Sequence, residues 1–267
     1  MLPGVYTAVK KDGTVYYRAS ITCKNKHISL GSYALESLAN QAYTEAEHFL
    51  RDAFVPLEYA LAHRTALSFD KTVTLINFRD NGVYIKTPIY LRKNYFEYYL
   101  TSTLVLKFDI DDLFYYSSHR IQKRGGHLFV SDYGMQYSIL SRYGIKNHGV
   151  PGKDFLFVNE DPTDYRYSNI KIINPYAGVT RLTENGKTVY QAKIHINGYF
   201  SLGIYEQDYL AAIAYNKACD LAKGMGIAKE FPVNYIDFLS ASEYADLYSD
   251  LILPEKYAAY LSSFLHR

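Results

Sequence analysis

The chain carries one segment twice, and that repeat limits what it can fold into more than any other feature. Residues 4–50 begin G-V-Y-T-A-V and residues 178–224 begin G-V-T-R-L-T. Both continue through a T-V-Y element, an A-x-I element and S-L-G-x-Y into a tail of helical period. Self-similarity of this kind marks one supersecondary unit used more than once. The first copy is one residue longer in each of its two turns.

Each copy reads as three short strands and a helix. In the second, Ala192, Ile194 and Ile196 alternate with Lys193, His195 and Asn197; in the first, Ala19, Ile21 and Cys23 alternate with Ser20, Thr22 and Lys24. A period of two is the mark of a strand with one buried face. Asp12-Gly13, Asn185-Gly186 and Asn197-Gly198 supply turns, because these residue types reach positive φ at low cost. The period then becomes helical. Leu35, Leu38, Ala39, Ala42, Ala46, Phe49 and Leu50 share a stripe in the first copy, and Leu210, Ile213, Ala214, Ala218 and Leu221 in the second. The alanines let each helix lie close across its sheet, which leaves the other sheet face free.

The set G-V, A-x-I, L-G-x-[YF] and A-A-x-A-Y resembles the AP-two/ethylene-response-factor DNA-binding domain. The second copy carries it on Gly178, Val179, Ala192, Ile194, Leu202, Gly203, Ala211, Ala212, Ala214 and Tyr215; the first has Leu38-Ala39 in place of the paired alanines. The resemblance implies that the outer face of each sheet enters the DNA major groove, which is wide enough for β-strands. Outward positions taken from the alternation are Tyr6, Ala8, Lys10, Arg18, Ser20, Thr22, His27 and Ser29 in the first copy. In the second they are Thr180, Leu182, Gln191, Lys193, His195, Tyr199 and Ser201, with Arg181 added if the first strand is bulged. Plant members of the family carry several arginines and tryptophans at these places; this chain has no tryptophan.

Between the copies lies a second resemblance. Residues 153–173, KDFLFVNEDPTDYRYSNIKII, are similar to the core of an HNH nuclease of the homing-endonuclease type, with Asn159, Asp161, Thr163, Asp164, Arg166, Ser168 and Asn169 on matching letters. Upstream, 107–122 resembles the short acidic helix that opens that module, and 137–145 its "LHRLI" helix, where Leu140 and Arg142 match. The residues of the chemistry do not match. The family's "DHING" histidine falls on Phe157, the aspartate before it on Leu156, and the histidine of the second helix on Ser141. Magnesium requires oxygen ligands, and a phenyl ring can neither hold the ion nor accept a proton. Loss of a general base alone costs ~10²–10⁴-fold in rate. The resemblance therefore implies a nuclease frame with degenerate catalytic positions Ser141, Phe157 and Asn169, no catalytic residue and no metal.

A length of 267 residues allows two or three domains. A net charge of +2 argues against indiscriminate coating of nucleic acid and leaves specific binding open. Two cysteines, Cys23 and Cys219, form no disulfide framework or metal spacing, which points to a reducing compartment. No apolar leader opens the chain and no eighteen-residue apolar run interrupts it, so the expectation is cytoplasmic, with no membrane partner. The 29 tyrosines and 14 phenylalanines read chiefly as cores that replace tryptophan.

Residues 57–70 are helical in pattern. Residues 71–106 alternate (Val73, Leu75, Phe78; Val83, Ile85; Ile89, Leu91) around Asp80-Asn81-Gly82 and read as a β-meander. Residues 230–267 read as two short helices that either cap the second repeat or pair with another chain as a homodimer. The predicted class is α+β: two small three-stranded-sheet-plus-helix domains, 1–56 and 175–228, flank a central degenerate HNH domain of ββα-metal-like α+β type over 57–174. Its HNH-like region is 105–173, and a helical extension covers 229–267. The expected function is a sequence-specific double-stranded DNA-binding protein without cofactor, a transcriptional regulator derived from a homing endonuclease. Two alternatives stand beside it. One is a magnesium-dependent endonuclease using Asn169 with a displaced histidine such as His148; the other is a protein-interaction module.

Overall fold

In the computed structural model, which describes residues 2–145 and 149–264, the first repeat folds as its alternation predicts. Strands β1 (Val5–Val9), β2 (Val15–Cys23) and β3 (Lys26–Tyr33) form an antiparallel sheet in that order, and α1 (Glu36–Arg51) lies across it. Val5, Ala19, Ile21, Ile28 and Leu30 are buried against Ala39, Ala42, Ala46 and Phe49. Leu35 and Leu38, placed on that stripe by sequence, are exposed. The close fit centres on Gly4. At φ +70°, with a Cβ site 1.9 Å from the Tyr43 ring, this position excludes every side chain.

The core of the first repeat does not stop at residue 56. It continues through α2 (Leu57–His63) and α3 (Phe69–Asn81) as far as Tyr99. The α3 helix corrects the expected meander over 71–81. Every residue from Thr72 to Phe78 is buried, so exposure shows no period and the apolar letters mimic a strand. The local signals are helical: Ser68 accepts from the Lys71 amide at one end, and Gly82 adopts φ +72° as a left-handed cap at the other. Asn81-Gly82 is thus a helix stop and not a hairpin. From α3 the Arg79 guanidinium donates to the carbonyls of Phe49, Asp52 and Val55, closing the C-terminal end of α1.

A meander does follow, one element later: β4 (Ile89–Leu91), β5 (Tyr95–Tyr99) and β6 (Val105–Asp109). After it come a 3₁₀ turn at Ile110–Asp112 and α4 (Leu113–Ser118), then a sheet of β7 (Ile121–Arg124), β8 (His127–Asp132) and β9 (Met135–Ser138). The tyrosines serve as core here. Phe96, Tyr98, Phe108 and Tyr116 are fully buried, the Phe108 and Tyr116 ring centroids are 4.4 Å apart, and Tyr98 accepts the Ile121 amide at 2.9 Å. Burial with a satisfied hydroxyl is the usual role of tyrosine in a core.

The chain packs as two compact units, and they cut across the expected divisions. The first takes Met1–Ile139 with Val158–Asn169, the second Leu140–Phe157 with Ile170–Arg267. The span 57–174 is therefore not a body of its own. Its "LHRLI"-like segment is a 3₁₀ turn at Ile139–Tyr143 and not an α-helix. Strands β10 (Phe155–Phe157) and β11 (Ile170–Ile172) pair as a hairpin, but Asn174-Pro175 leads straight into the second repeat. No helix stands between β11 and the second repeat, so the hairpin is not followed directly by the helix of a ββα unit.

The second repeat comprises β12 (Val179–Glu184), β13 (Lys187–His195), β14 (Tyr199–Tyr205) and α5 (Asp208–Gly224). It reproduces the first pair by pair. Val5 faces Ala19 as Val179 faces Ala192; Ala19 faces Gly31 as Ala192 faces Gly203; a bulge follows each alanine. These pairings make Tyr17, and not the Tyr16 of T-V-Y, the equivalent of Tyr190. Gly178, at φ +70°, lies under Tyr215 with its Cβ site 2.0 Å from the ring. Helix α5 is buried on both sides, because α6 (Ala241–Asp250) and α7 (Glu255–Ser262) cover its far face. Tyr257 and Leu261 sit in that core, and the Tyr257 hydroxyl donates to the Ala218 carbonyl at 2.7 Å. The last two helices cap the repeat, and the division at 228 does not separate two cores. Among the described residues no helix is long and apolar enough to cross a membrane.

Gly4→Ala and Gly178→Ala are expected to cost roughly 2–5 kcal/mol, the sum of backbone strain and overpacking. Gly13→Ala is the control: its φ of +83° carries the strain, but nothing lies within 4 Å of the new methyl. Urea unfolding should place Gly13→Ala ~1–3 kcal/mol above the other two; equal losses would refute the packing account.

Candidate nucleic-acid interface

Opposite partners in an antiparallel pair point to one face, so register decides which side chains share a surface. In the first sheet the pairs away from α1 are Tyr6 with Arg18, Arg18 with Ser32, Ser20 with Ser29, and Thr22 with His27. Tyr6, Arg18, Ser20, His27, Ser29 and Ser32 line one depression of about 590 Å³. Ser20 forms its floor, only 8% exposed. The Arg18 guanidinium lies 5.6 Å from the Tyr16 ring, which limits its freedom at an exposed site. Thr22 and His27 meet through Oγ1 and Nδ1 at 3.4 Å. Lys10 continues the alternation of Tyr6 and Ala8 one step past the end of β1. Its backbone closes the β1–β2 turn, its amide donating to Thr14 and its carbonyl accepting from Gly13, and the residue is exposed beyond the sheet.

In the second sheet the outer pairs are Thr180 with Gln191, Gln191 with Ile204, Lys193 with Ser201, and His195 with Tyr199. Gln191 donates to Ser201 at 3.4 Å. Arg181 is off this face. The register from Val179 to Glu184 is unbroken, so the bulge that would turn it outward is missing; it pairs with Tyr190 on the helix side and reaches Thr188 at 3.3 Å. The two outer faces differ in chemistry. Where the first has Ala8, Tyr16 and Ser32, the second has Leu182, Val189 and Ile204, the last 48% exposed.

One residue of this surface was invisible in the sequence. Lys229, beyond the repeat, donates to the His195 carbonyl at 2.7 Å and to its Nδ1 at 3.1 Å. The other side of the imidazole meets Tyr199, with centroids 4.7 Å apart. An isolated lysine in a loop carries no signal beyond its charge.

The nuclease-like letters serve a different end. In the loop 158–169 the Asn159 amide donates to the Asn169 side-chain oxygen at 2.7 Å, and the Asn169 amide group donates to the Asp164 carbonyl at 2.8 Å. Asn159 also donates to Asp164, which takes a bidentate pair from Arg166 at 2.9 and 2.6 Å. Asp161 accepts from the Thr163 amide and hydroxyl and pairs with Lys107 at 3.0 Å. Asn169 is 4% exposed and uses both ends of its amide inside this loop. Phe157 lies half-buried in β10, its ring centroid 5.3 Å from that of Phe155, and Ser141 is exposed in its 3₁₀ turn. Among the described residues no three His, Cys, Asp or Glu side chains come together as a metal site. His148 lies outside the described residues. No family model, curated protein or solved structure matches this chain.

Asn169→Ala is expected to destabilise the first unit by ~1–3 kcal/mol for each buried group left unpaired; an unchanged denaturation midpoint would contradict that role. The Thr163 hydroxyl and amide, then Lys107, hold the Asp161 carboxyl down at about 2. In the unfolded chain an aspartate titrates near ~3.9. The folded value is the lower one, so the loop gains stability above pH ~4 and loses it as pH falls from ~4 to ~2. Carboxyl NMR titration checks this, with Asp161→Asn expected to remove that part of the acid dependence.

Proposed function

We propose that this chain is a sequence-specific double-stranded DNA-binding protein, a transcriptional regulator that reads the major groove with the outer faces of its two repeat sheets. We further propose that it descends from a homing endonuclease and no longer cuts. One observation carries the reading: in each repeat a helix covers one side of the sheet, while side chains from all three strands meet on the uncovered side. There they form donor-rich surfaces, with Arg18 and His27 on one and Gln191, Lys193 and His195 on the other. Arg and Lys read guanine and Gln reads adenine in that groove. Tethering two such readers on one chain raises their joint affinity through effective concentration. The commitment of Asn169 to its own loop supports a frame kept for its shape.

The test is a titration of a labelled duplex. Arg18→Ala, and separately Lys193→Ala with His195→Ala, should weaken binding by roughly tenfold or more, at ~1–3 kcal/mol per lost base contact. Bound plasmid incubated with magnesium should stay intact. Unchanged affinity in both variants would discard the surface assignment, and nicking would restore the enzyme.

A further inference from the structure

We propose that the tip of the second hairpin in each repeat is a phosphate-binding end, completed by a lysine that the chain supplies from beyond the repeat. This deepens the DNA-binding reading and rests on it. In the first unit the hairpin closes at Cys23 and Lys26, with Lys24 and Asn25 in the left-handed region at φ +47° and +60°. Lys24 is committed elsewhere, since its ammonium caps the end of α3 on the carbonyls of Phe78 at 3.4 Å and Arg79 at 3.1 Å. Lys26 and Lys71 are not so committed. The first lies 4.9 Å from the centroid of the Tyr84 ring; the second lies 5.6 Å from it and donates to the Tyr84 hydroxyl at 3.0 Å.

Among the described residues, neither ammonium has a carboxylate within ion-pair distance. The acidic residues nearest Lys71 in sequence are already engaged, Asp70 with Arg120 and Asp80 with Arg79, both at 2.6 Å. Two cations that meet one tyrosine, Lys26 at the ring and Lys71 at its hydroxyl, repel each other, and an exposed cation–π contact returns only ~0.5–1 kcal/mol to Lys26. A singly charged group with strong acceptor oxygens, such as a phosphodiester, relieves that repulsion and takes several N–H donors at once. Lys26 precedes His27, which faces the outer side, so the pair marks the edge where the reading surface ends.

The second unit repeats the arrangement with different residues. Its hairpin tip follows the pair His195 and Tyr199, and Lys229 comes to it from the segment after α5. A protonated ammonium has no lone pair, so Nδ1 of His195 must accept from it. The ring hydrogen is then on Nε2, which makes His195 a donor toward a phosphate or a base acceptor. Among the described residues Lys229 also has no carboxylate partner. A lysine from outside each repeat is thus drawn toward its hairpin tip, Lys71 through the Tyr84 that Lys26 also meets and Lys229 directly on His195. A sheet seated in the major groove carries such a tip toward the sugar–phosphate edge, where contacts position the protein without reading sequence.

The experiment is the salt dependence of duplex binding by the full chain. It compares wild type with Lys26→Gln plus Lys71→Gln, with Lys229→Gln, and with the corresponding arginine variants. Each lost phosphate contact should reduce the slope of log affinity against log salt by about 0.9. The ranking of different duplexes should stay the same, and arginine should restore the slope. A steep wild-type slope that the glutamine variants leave unchanged overturns the inference and spares the reading. A changed ranking overturns it too, because the lysines would then touch bases. A wild-type chain that binds no duplex at low salt overturns both.

Discussion

Everything on the two candidate surfaces depends on how closely a helix can approach the back of a small sheet. In each repeat a tyrosine ring, Tyr43 or Tyr215, lies directly on a glycine at the start of the first strand. A row of alanines from the same helix presses on the sheet behind it. No residue but glycine fits under the ring, and larger residues in the alanine row would lift the helix away. Once the helix is seated, the inward residues of all three strands are used up, and the period-two rule sends their neighbours to the opposite face. The bulge after Ala19, matched by the one after Ala192, keeps that assignment in step with Gly31 and Gly203. Surface and core are two sides of one constraint.

That constraint also explains what could be read in advance. The strands of the repeats and helix α1 were legible because each is buried on one side only, so exposure oscillates with the period of the element. Ala192, Ile194 and Ile196 inside against Lys193, His195 and Asn197 is the plainest case. Helix α3 was not legible for the converse reason. It is enclosed from Thr72 to Phe78, and a helix without a wet face has no amphipathic signature. Asn81-Gly82 added to the error, since positive φ serves a helix cap as well as a hairpin. Arg181 was a question of register alone, and an unbroken ladder answered it. Lys229 was out of reach of any local rule, because only tertiary packing brings it to His195.

The loop 158–169 carries a lesson about motifs. Its letters match a nuclease frame, yet each one the structure accounts for is spent on the loop's own backbone or on a neighbouring side chain. Asn159, Asp161, Asp164 and Asn169 hold a tight excursion together through short hydrogen bonds, with Arg166 and Lys107 neutralising the charge. Hydrogen bonds of this kind account for the matching letters by the shape of the loop alone.

The central claim is that two uncovered sheet faces on one chain read duplex DNA without cutting it. Selecting bound duplexes from a random pool in the presence of magnesium, then sequencing the bound and the cleaved fractions, tests it most directly. The account predicts an enriched motif in two parts, one for each repeat, recovered on intact strands. A pool with no enrichment, or one enriched in cleaved ends, would contradict it.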